Sequence, residues 1–333
     1  MIRVPVSEQS QIAAARHTAA ERAERHGFGT VEVGRVALAT TELATNLIKH
    51  AGGGEILVGA FDEEDGTGIE VLSLDKGRGI ADLAACLEDG YSTSGTNGHG
   101  LGAVVRQAHR VEVATWPGLG TALLARFEPG TPPKTKKPSR AGWGAVSVAK
   151  EGEAVCGDAF GVIDGHGLRT LMVADGLGHG PEAADAATQA VRVFNRHKDH
   201  RVPTLLDYIH GGLRATRGAA VSVARLDAAD GRVEFGGIGN VAGVVVTPRD
   251  VRRMISLPGT AGHTVRKIQS FDYRLDDGVV ILHSDGLATS WSLDRYPGLI
   301  RAHPTLIAAV LFRDFWRRRD DVTVLVAGAG PNR

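Results

Sequence analysis

Residues 171-LMVADGLGHG-180 decide the fold of the second half of the chain. Four apolar residues are followed by Asp175 and then by three glycines within five positions, with His179 among them. A short apolar run that ends in glycines is typical of a buried strand. Glycines directly after a strand indicate a tight turn or a close approach of backbone to a ligand. A similar stretch, 95-GTNGHGLG-102, lies in the first half, so the sequence predicts two ligand-binding loops.

Further aspartates stand at the ends of other predicted strands of the second half. Asp158 follows "VCG", Asp285 follows "VVILHS", and Asp320 and Asp321 open "DDVTVLVA". Carboxylates gathered at one edge of a sandwich repel one another, and divalent cations relieve that repulsion. Oxygen ligands favour Mg²⁺ or Mn²⁺ over zinc. Two such ions about 4 Å apart can share a hydroxide and hold a phosphate oxygen. The pattern therefore predicts a two-metal site.

Four motifs of the second half, "GDAF", "VADGLGHG", "HSDGL" and "DDVTV", resemble in order those of the metal-dependent PPM-type protein phosphatases. The similarity is to the SpoIIE branch, and "GIGNV" together with the short length resembles its compact RsbX-like members. The resemblance implies an α/β/β/α sandwich over 141–333 that removes phosphate from serine or threonine with two Mn²⁺ or Mg²⁺.

The same resemblance implies a role for each aspartate. Asp175 bridges both ions at the catalytic centre, and Gly176 lends its backbone carbonyl. Asp285 and Asp320 complete the shell of one ion, and Asp158 binds metal through water. Asp320 is favoured over Asp321 because the first aspartate of the pair aligns with the family's ligand. The charge run 312-FRDFWRRRDD-321 is expected to be a solvated helix end.

A second set of residues in the first half points to a nucleotide. Glu42, Asn46 and His50 recur every four residues, so a helix would place them on one face. The amide oxygen of Asn46 can bind Mg²⁺, and Glu42 can accept a proton from a nucleophile, whereas His50 is expected to cap the helix end. Asp75, in "LDKGRGI", ends a predicted strand and can accept a hydrogen bond from an exocyclic amine.

Glycines complete this predicted site. Gly77 and Gly79 let the backbone approach a base. Gly98, Gly100 and Gly102 open a predicted helix, where backbone N–H groups and the helix dipole favour phosphate.

"ELATN", "DKGRG", "GHGLG" and "GT" occur in the order of the nucleotide-binding boxes of the GHKL ATPases, the Bergerat fold of gyrase and sensor histidine kinases. "ELATNLIKHAGGG" is nearer to the anti-sigma-factor serine kinases of the RsbW and RsbT type, which phosphorylate STAS-domain proteins. The resemblance implies an α+β ATP-binding sandwich over 1–128 that uses ATP with Mg²⁺. Its contacts fall on Asn46, Asp75, Gly77, Gly79, Gly98, Gly100, Leu101, Gly102 and Thr121, with Glu42 as the catalytic carboxylate.

Composition sets limits on other functions. The formal net charge is +0, with 38 basic and 38 acidic residues, which argues against nucleic acid or a membrane surface as a partner. Two cysteines in no ligand spacing suit a reducing cytoplasm. Residues 129–140 are rich in proline and lysine and are expected to form a linker between the two domains.

The sequence thus predicts one chain that carries a protein serine/threonine kinase and an opposing phosphatase in a bacterial partner-switching pathway. STAS-domain regulators are the expected substrates, and a sigma factor or its regulator is a further expected partner. Two alternatives stay open. The first domain can sequester a sigma factor and use ATP only as a structural ligand, or it can sense nucleotide level while only the phosphatase is active.

Overall fold

The computed structural model describes residues 1–63, 66–83, 86, 100–130, 142–165 and 167–328. The chain divides into two compact units, Met1–Ser139 and Arg140–Arg333. The predicted linker, 129–140, lies outside the described residues except for its first two positions, and so does Gly98. Among the described residues, no helix combines the length and the apolarity needed to cross a membrane.

The first unit is an antiparallel sheet with helices packed against it. The elements are β1 (Ile2–Val6), α1 (Gln9–Arg25), α2 (Thr30–Asn46), β2 (Gly54–Glu63), β3 (Gly66–Leu74), α3 (Leu101–Gln107), β4 (Arg110–Trp116) and β5 (Gly120–Phe127). The strand order is β1-β2-β3-β5-β4. Alanines of α1 and α2 pack on Ile56, Val71 and Leu123 of the sheet. The predicted α+β sandwich is confirmed.

Three local predictions for this unit were wrong or incomplete. β1 was missed, because a five-residue segment with a proline gives a weak signal; Pro5 is tolerated since β1 is an edge strand. The sequence favours Thr30 as the N-cap of α2 because threonine is a common N-cap residue. Thr30 is instead the first helical residue, and the N-cap is Gly29, whose N–H donates to Glu32 at 2.6 Å. Residues Leu47–Ala51 form a π-helical turn, so the regular α-helical spacing ends at Asn46, before His50.

The second unit contains two five-stranded sheets. Its strands are β6 (Trp143–Val148), β7 (Asp158–Gly165), β8 (Leu168–Gly176), β9 (Ala219–Asp227), β10 (Arg232–Ile238), β11 (Ala242–Val246), β12 (Val251–Met254), β13 (Phe271–Arg274), β14 (Val279–His283) and β15 (Val322–Gly328). One sheet has the order β13-β10-β9-β8-β7, and the other has the order β12-β11-β14-β15-β6. The four-residue β13 was not predicted from the sequence.

These sheets form the middle layers of an α/β/β/α sandwich. Leu171 and Phe235 of one sheet meet Val280 and Leu325 of the other in a buried core. The helices α4 (Pro181–Arg196) and α5 (Val202–Gly212) cover the first sheet. Phe194 of α4 is buried in the core between the helices and this sheet. A third helix, α6 (Pro304–Phe315), packs on β6 and β15 of the second sheet. This is the architecture that the PPM resemblance implied.

Candidate functional sites

The strand ends of the second unit bring the predicted metal-binding aspartates to one end of the sandwich. Asp158 begins β7 and lies opposite Asp175, near the end of β8, in their antiparallel register. Asp285 follows β14, and Asp320 precedes β15, the strand that pairs with β14. Because neighbouring antiparallel strands place one strand's end beside the next strand's start, the four carboxyls meet at a common edge.

Electrostatic interactions join these carboxyls. Burial raises the pKa of Asp175 to about 8, and the charges of the other aspartates of the cluster add to that effect. Burial also raises the pKa of Asp158 to about 7, although the hydrogen bond from Ser284 acts in the opposite direction. The pKa of Asp285 is raised by burial and by the charge of Asp320. The shared direction indicates anionic groups crowded together, which is the environment that a cation stabilises.

Neighbouring polar groups hold the cluster in place. The hydroxyl of Ser284 donates to Asp158 at 2.6 Å and accepts the N–H of Thr323 at 3.0 Å. The side-chain amide of Asn240 donates to Asp285 at 2.7 Å. Sequence reasoning assigned no role to Ser284 or Asn240, although each lies in a quoted motif, "HSDGL" and "GIGNV". For Ser284, its position beside Asp285 was the available signal, whereas no sequence spacing connects Asn240 with Asp285.

The adjacent aspartates 320 and 321 have different surroundings. Asp321 is 3% exposed, and its two oxygens accept backbone N–H groups from Lys150 at 2.8 Å and Gly157 at 2.9 Å. The carboxylate of Asp320 is partly exposed. Both aspartates contribute to the raised pKa of Asp175, but of the two only Asp320 contributes to that of Asp285. Asp321 therefore ties the loop before β7 to β15, whereas Asp320 faces the cluster.

The quoted loop 175–180 turns directly into helix α4. Gly178 and Gly180 have φ of +87° and +79°, backbone conformations that favour glycine. Gly176 donates its N–H to the carbonyl of Gly157 at 3.1 Å, which fixes it beside the start of β7. The sequence favours His179 as a turn residue rather than a ligand. Its Nδ1 lies 2.6 Å from a carboxylate oxygen of Glu153.

The donor set fits divalent metal ions. Throughout the described residues, no three His, Cys, Asp or Glu side chains are arranged to hold an ion by themselves. Mg²⁺ needs fewer, because it usually takes one or two carboxylates and keeps several waters. Asp175, Asp285 and Asp320, with the backbone of Gly176 and with Asp158 nearby, would supply such oxygens. Bound ions would polarise a phosphate oxygen and lower the pKa of a coordinated water.

The first unit holds four of the predicted nucleotide-binding positions in defined contacts. Asp75 follows β3, and its Oδ1 accepts N–H groups from Gly77 at 2.8 Å and Thr121 at 3.3 Å. The N–H of Asp75 in turn donates to the carbonyl of Thr121 at 2.9 Å. Gly79 lies against the backbone of Trp116, where a β-carbon would overlap the carbonyl oxygen. These contacts fix the direction of the Asp75 carboxyl, as recognition of an adenine amine requires.

The remaining predicted residues lie on two packed helices. Glu42 and Asn46 are both in the last two turns of α2, four residues apart. Helix α2 packs against α3, which has Gly100 as its N-cap and begins with Leu101 and Gly102. The pKa of His50 is lowered by burial and by the nearby cations Arg78 and Lys49, which sequence reasoning had not singled out. An acid, an amide, a fixed aspartate and these cations are groups that fit a magnesium nucleotide.

Comparisons with known proteins agree with the two predicted domain types. A family model described as a histidine kinase-like ATPase domain matches residues 6–127, and one described as stage II sporulation protein E (SpoIIE) matches residues 165–329. The serine/threonine-protein kinase RsbT of Bacillus subtilis (strain 168) is 35% identical over 37% of this chain and 92% of its own length. The phosphoserine phosphatase RsbX of the same organism is 23% identical over 41% of this chain and 70% of its own length.

A solved structure is also similar. It is described as "The bacterial stressosome: a modular system that has been adapted to control secondary messenger signaling". It is 29% identical, with a TM-score of 0.51, and covers 56% of this chain and 97% of its own.

Proposed function

Because the chain belongs to the histidine kinase-like ATPase family in its first unit and carries a SpoIIE domain of the PPM phosphatase type in its second, we propose that it is a bifunctional enzyme. The first unit phosphorylates serine or threonine on a STAS-domain regulator, and the second removes that phosphate. The whole chain is then a cytoplasmic switch protein in a partner-switching pathway. The similarity to RsbT and RsbX, a kinase and a phosphatase, supports this pairing.

The observation that carries the phosphatase proposal is the cluster of Asp158, Asp175, Asp285 and Asp320 at one end of the sandwich. These side chains would hold two Mg²⁺ or Mn²⁺ ions, and Asp175 would contact both. The ions would supply Lewis acidity and an acidified water at the phosphate. The protein's own contribution is to keep the carboxyls in place through Ser284 and Asn240 and to hold the loop 175–180 in its tight turn.

The kinase proposal rests on Asp75, Glu42 and Asn46. Phosphoryl transfer needs a bound nucleotide, a neutralised phosphate and a positioned hydroxyl. Asp75 would bind the adenine amine, Asn46 would bind Mg²⁺, and the carboxylate of Glu42 would orient the partner's hydroxyl and accept its proton. The helix start at Gly100–Gly102 would contact the phosphates through backbone N–H groups.

Incubation of the full chain with ATP, Mg²⁺ and candidate STAS proteins, followed by intact mass spectrometry, tests the kinase. We expect the partner to gain one phosphate with the wild type and none with Glu42→Gln, while calorimetry shows ATP still bound to that variant. Glu24→Gln, an exposed acid on α1, is the matched control and should transfer phosphate normally. Transfer at the wild-type rate by Glu42→Gln would exclude the catalytic role.

Nucleotide binding is tested separately. Asp75→Asn should weaken ATP binding by about tenfold or more, since a hydrogen bond to a charged group contributes about 1.5–3 kcal/mol. Asp62→Asn, an exposed position on β2, should leave the affinity unchanged. Equal affinity in both variants would remove Asp75 from the site. If ATP binds but no partner is phosphorylated, the first unit is a sequestering module or a nucleotide sensor instead.

A further inference from the structure

The segment Trp316–Arg319 leads from helix α6 directly to Asp320, and backbone hydrogen bonds hold it against the loop after Asp285. The N–H of Ala288 donates to the carbonyl of Phe315 at 2.9 Å, and the N–H of Arg317 donates to the carbonyl of Gly286 at 2.9 Å. A β-carbon on Gly286 would overlap the carbonyl oxygen of Asp321, so this loop is packed between the segment and the start of β15. The backbone of Arg317 is thereby fixed beside Asp285.

The three arginines of this segment are not equivalent, although the sequence suggested a solvated helix end. The guanidinium of Arg318 pairs with Glu151 at 3.0 Å and lies 5.2 Å from the ring centroid of Trp316. Arg317 is exposed, and its side chain forms no hydrogen bond or ion pair with any residue that the structure describes. Arg319 is likewise exposed, but of the three only Arg317 donates its backbone N–H to the loop after Asp285, as far as the structure describes that loop.

Arg317 is therefore a cation whose backbone is anchored to Gly286, the residue after Asp285, and whose guanidinium has no described partner. A second arginine near the cluster has its partner within the protein. Arg217, close to Gly178 in the loop 175–180, forms an ion pair with Glu182. A free guanidinium beside a two-metal site is suited to a phosphate group, because its planar donors match two phosphate oxygens at once.

We propose that Arg317 binds the phosphate group of the phosphoserine or phosphothreonine substrate at the rim of the carboxylate cluster. This assignment rests on the proposed phosphatase function and deepens it by naming a substrate-binding residue outside the motifs. The bound ions would offset the carboxylate charge, and Arg317 would contact the phosphate oxygens that the ions leave uncovered. The residue would act in binding, so its loss should affect KM more than kcat.

The experiment uses the full chain with Mn²⁺, a phosphoserine peptide as substrate and inorganic phosphate as competitive inhibitor. Arg317→Gln should raise both the KM for the peptide and the inhibition constant of phosphate about ten- to a hundredfold, with kcat much less affected. Arg317→Lys keeps the charge but not the paired donors and should give an intermediate value. Arg319→Gln is the matched control, and its constants should stay within about twofold of the wild type.

The possible outcomes separate the two ideas. Absence of phosphatase activity in the wild type would refute the proposed function, whatever Arg317 does. An active wild type with Arg317→Gln indistinguishable from Arg319→Gln would overturn the assignment alone. So would a fall in kcat with unchanged inhibition by phosphate, since that pattern indicates a disturbed loop. The thermal unfolding midpoint of Arg317→Gln should equal that of the control. If the midpoint falls, Arg317→Lys is used instead: an inhibition constant of phosphate between those of the wild type and Arg317→Gln supports the assignment, and a wild-type constant overturns it.

Discussion

Exchange of aspartate for asparagine at positions 320 and 321 should separate stability from catalysis. Asp321 is buried, and both of its oxygens accept backbone N–H groups, from Lys150 and Gly157. Asparagine would keep one acceptor and turn an NH₂ group toward the other buried donor. The loss of a hydrogen bond to a charged group costs about 1.5–3 kcal/mol, and the buried donor left unpaired adds about 1–3 kcal/mol. We expect Asp321→Asn to lower the free energy of unfolding by about 3 kcal/mol.

Asp320→Asn should have the opposite profile. Its carboxyl is partly exposed and adds to the repulsion within the cluster, so removing the charge should leave stability unchanged or slightly higher without metal. Phosphatase activity should fall by about two orders of magnitude, because a metal-binding oxygen of full charge is lost. Asp321→Asn, measured where it is still folded, should retain much more activity.

Urea unfolding followed by tryptophan fluorescence measures both variants. Three of the four tryptophans lie in the second unit, at 143, 291 and 316, so a Trp116→Phe background restricts the signal to that unit. Asp230→Asn, in the exposed turn between β9 and β10, is the control for loss of one negative charge. If Asp320→Asn destabilises the unit and Asp321→Asn does not, the roles of the two aspartates are the reverse of those argued from the hydrogen bonds.

Two further predictions concern the same cluster. Without metal, the folded protein holds protons on Asp175 and Asp158 up to about pH 8 and 7, whereas the ordinary pKa of each is 3.8, so the unfolding free energy should fall as pH rises through this window. Saturating Mn²⁺ or the substitution Asp175→Asn should make the unfolding free energy less dependent on pH. An unfolding free energy that rises with pH in EDTA would refute the prediction. Ser284→Ala removes the hydroxyl that links Asp158 to Thr323 and should cost about 1–3 kcal/mol and weaken Mn²⁺ binding. Ser292→Ala is the control, because the Ser292 hydroxyl accepts only the local N–H of Asp294. Calorimetry should show no change in its unfolding free energy or its Mn²⁺ affinity.

The sequence predicted the architecture well where apolar runs are long. β8, β9 and β14 are continuous buried strands, and such runs between glycines leave few alternatives. The elements that escaped prediction, β1 and β13, are short and lie at sheet edges. The side chains of the four-residue β13 alternate between partly and fully exposed. Their pairing with a neighbouring strand, which no local pattern encodes, is what makes them strands.

The site was predictable as a set of aspartates but not in its details. Strand ends pointed to Asp158, Asp175 and Asp285, because the first two border apolar runs and the third follows one after His283 and Ser284. The contrast between Asp320 and Asp321 depends on N–H donors from Lys150 and Gly157, more than 160 positions away in the chain. No spacing rule could supply that information. The resemblance favoured Asp320, and the hydrogen bonds of Asp321 now give a physical reason for the same choice.

Charge environment, rather than the glycine pattern, explains why two similar Gly-His-Gly stretches are assigned different ligands. The loop 175–180 begins at Asp175, which is surrounded by other carboxyls, so it can accept a cation and would repel a bare phosphate. In the first unit, the cations Arg78 and Lys49 act on His50, next to the end of α2, and the described part of the glycine stretch is the start of helix α3. Positive charge and the N–H groups of a helix start favour an anion. On the proposed function, the glycines would allow either loop to approach its ligand closely, and the charged neighbours would determine whether that ligand is a metal ion or a phosphate.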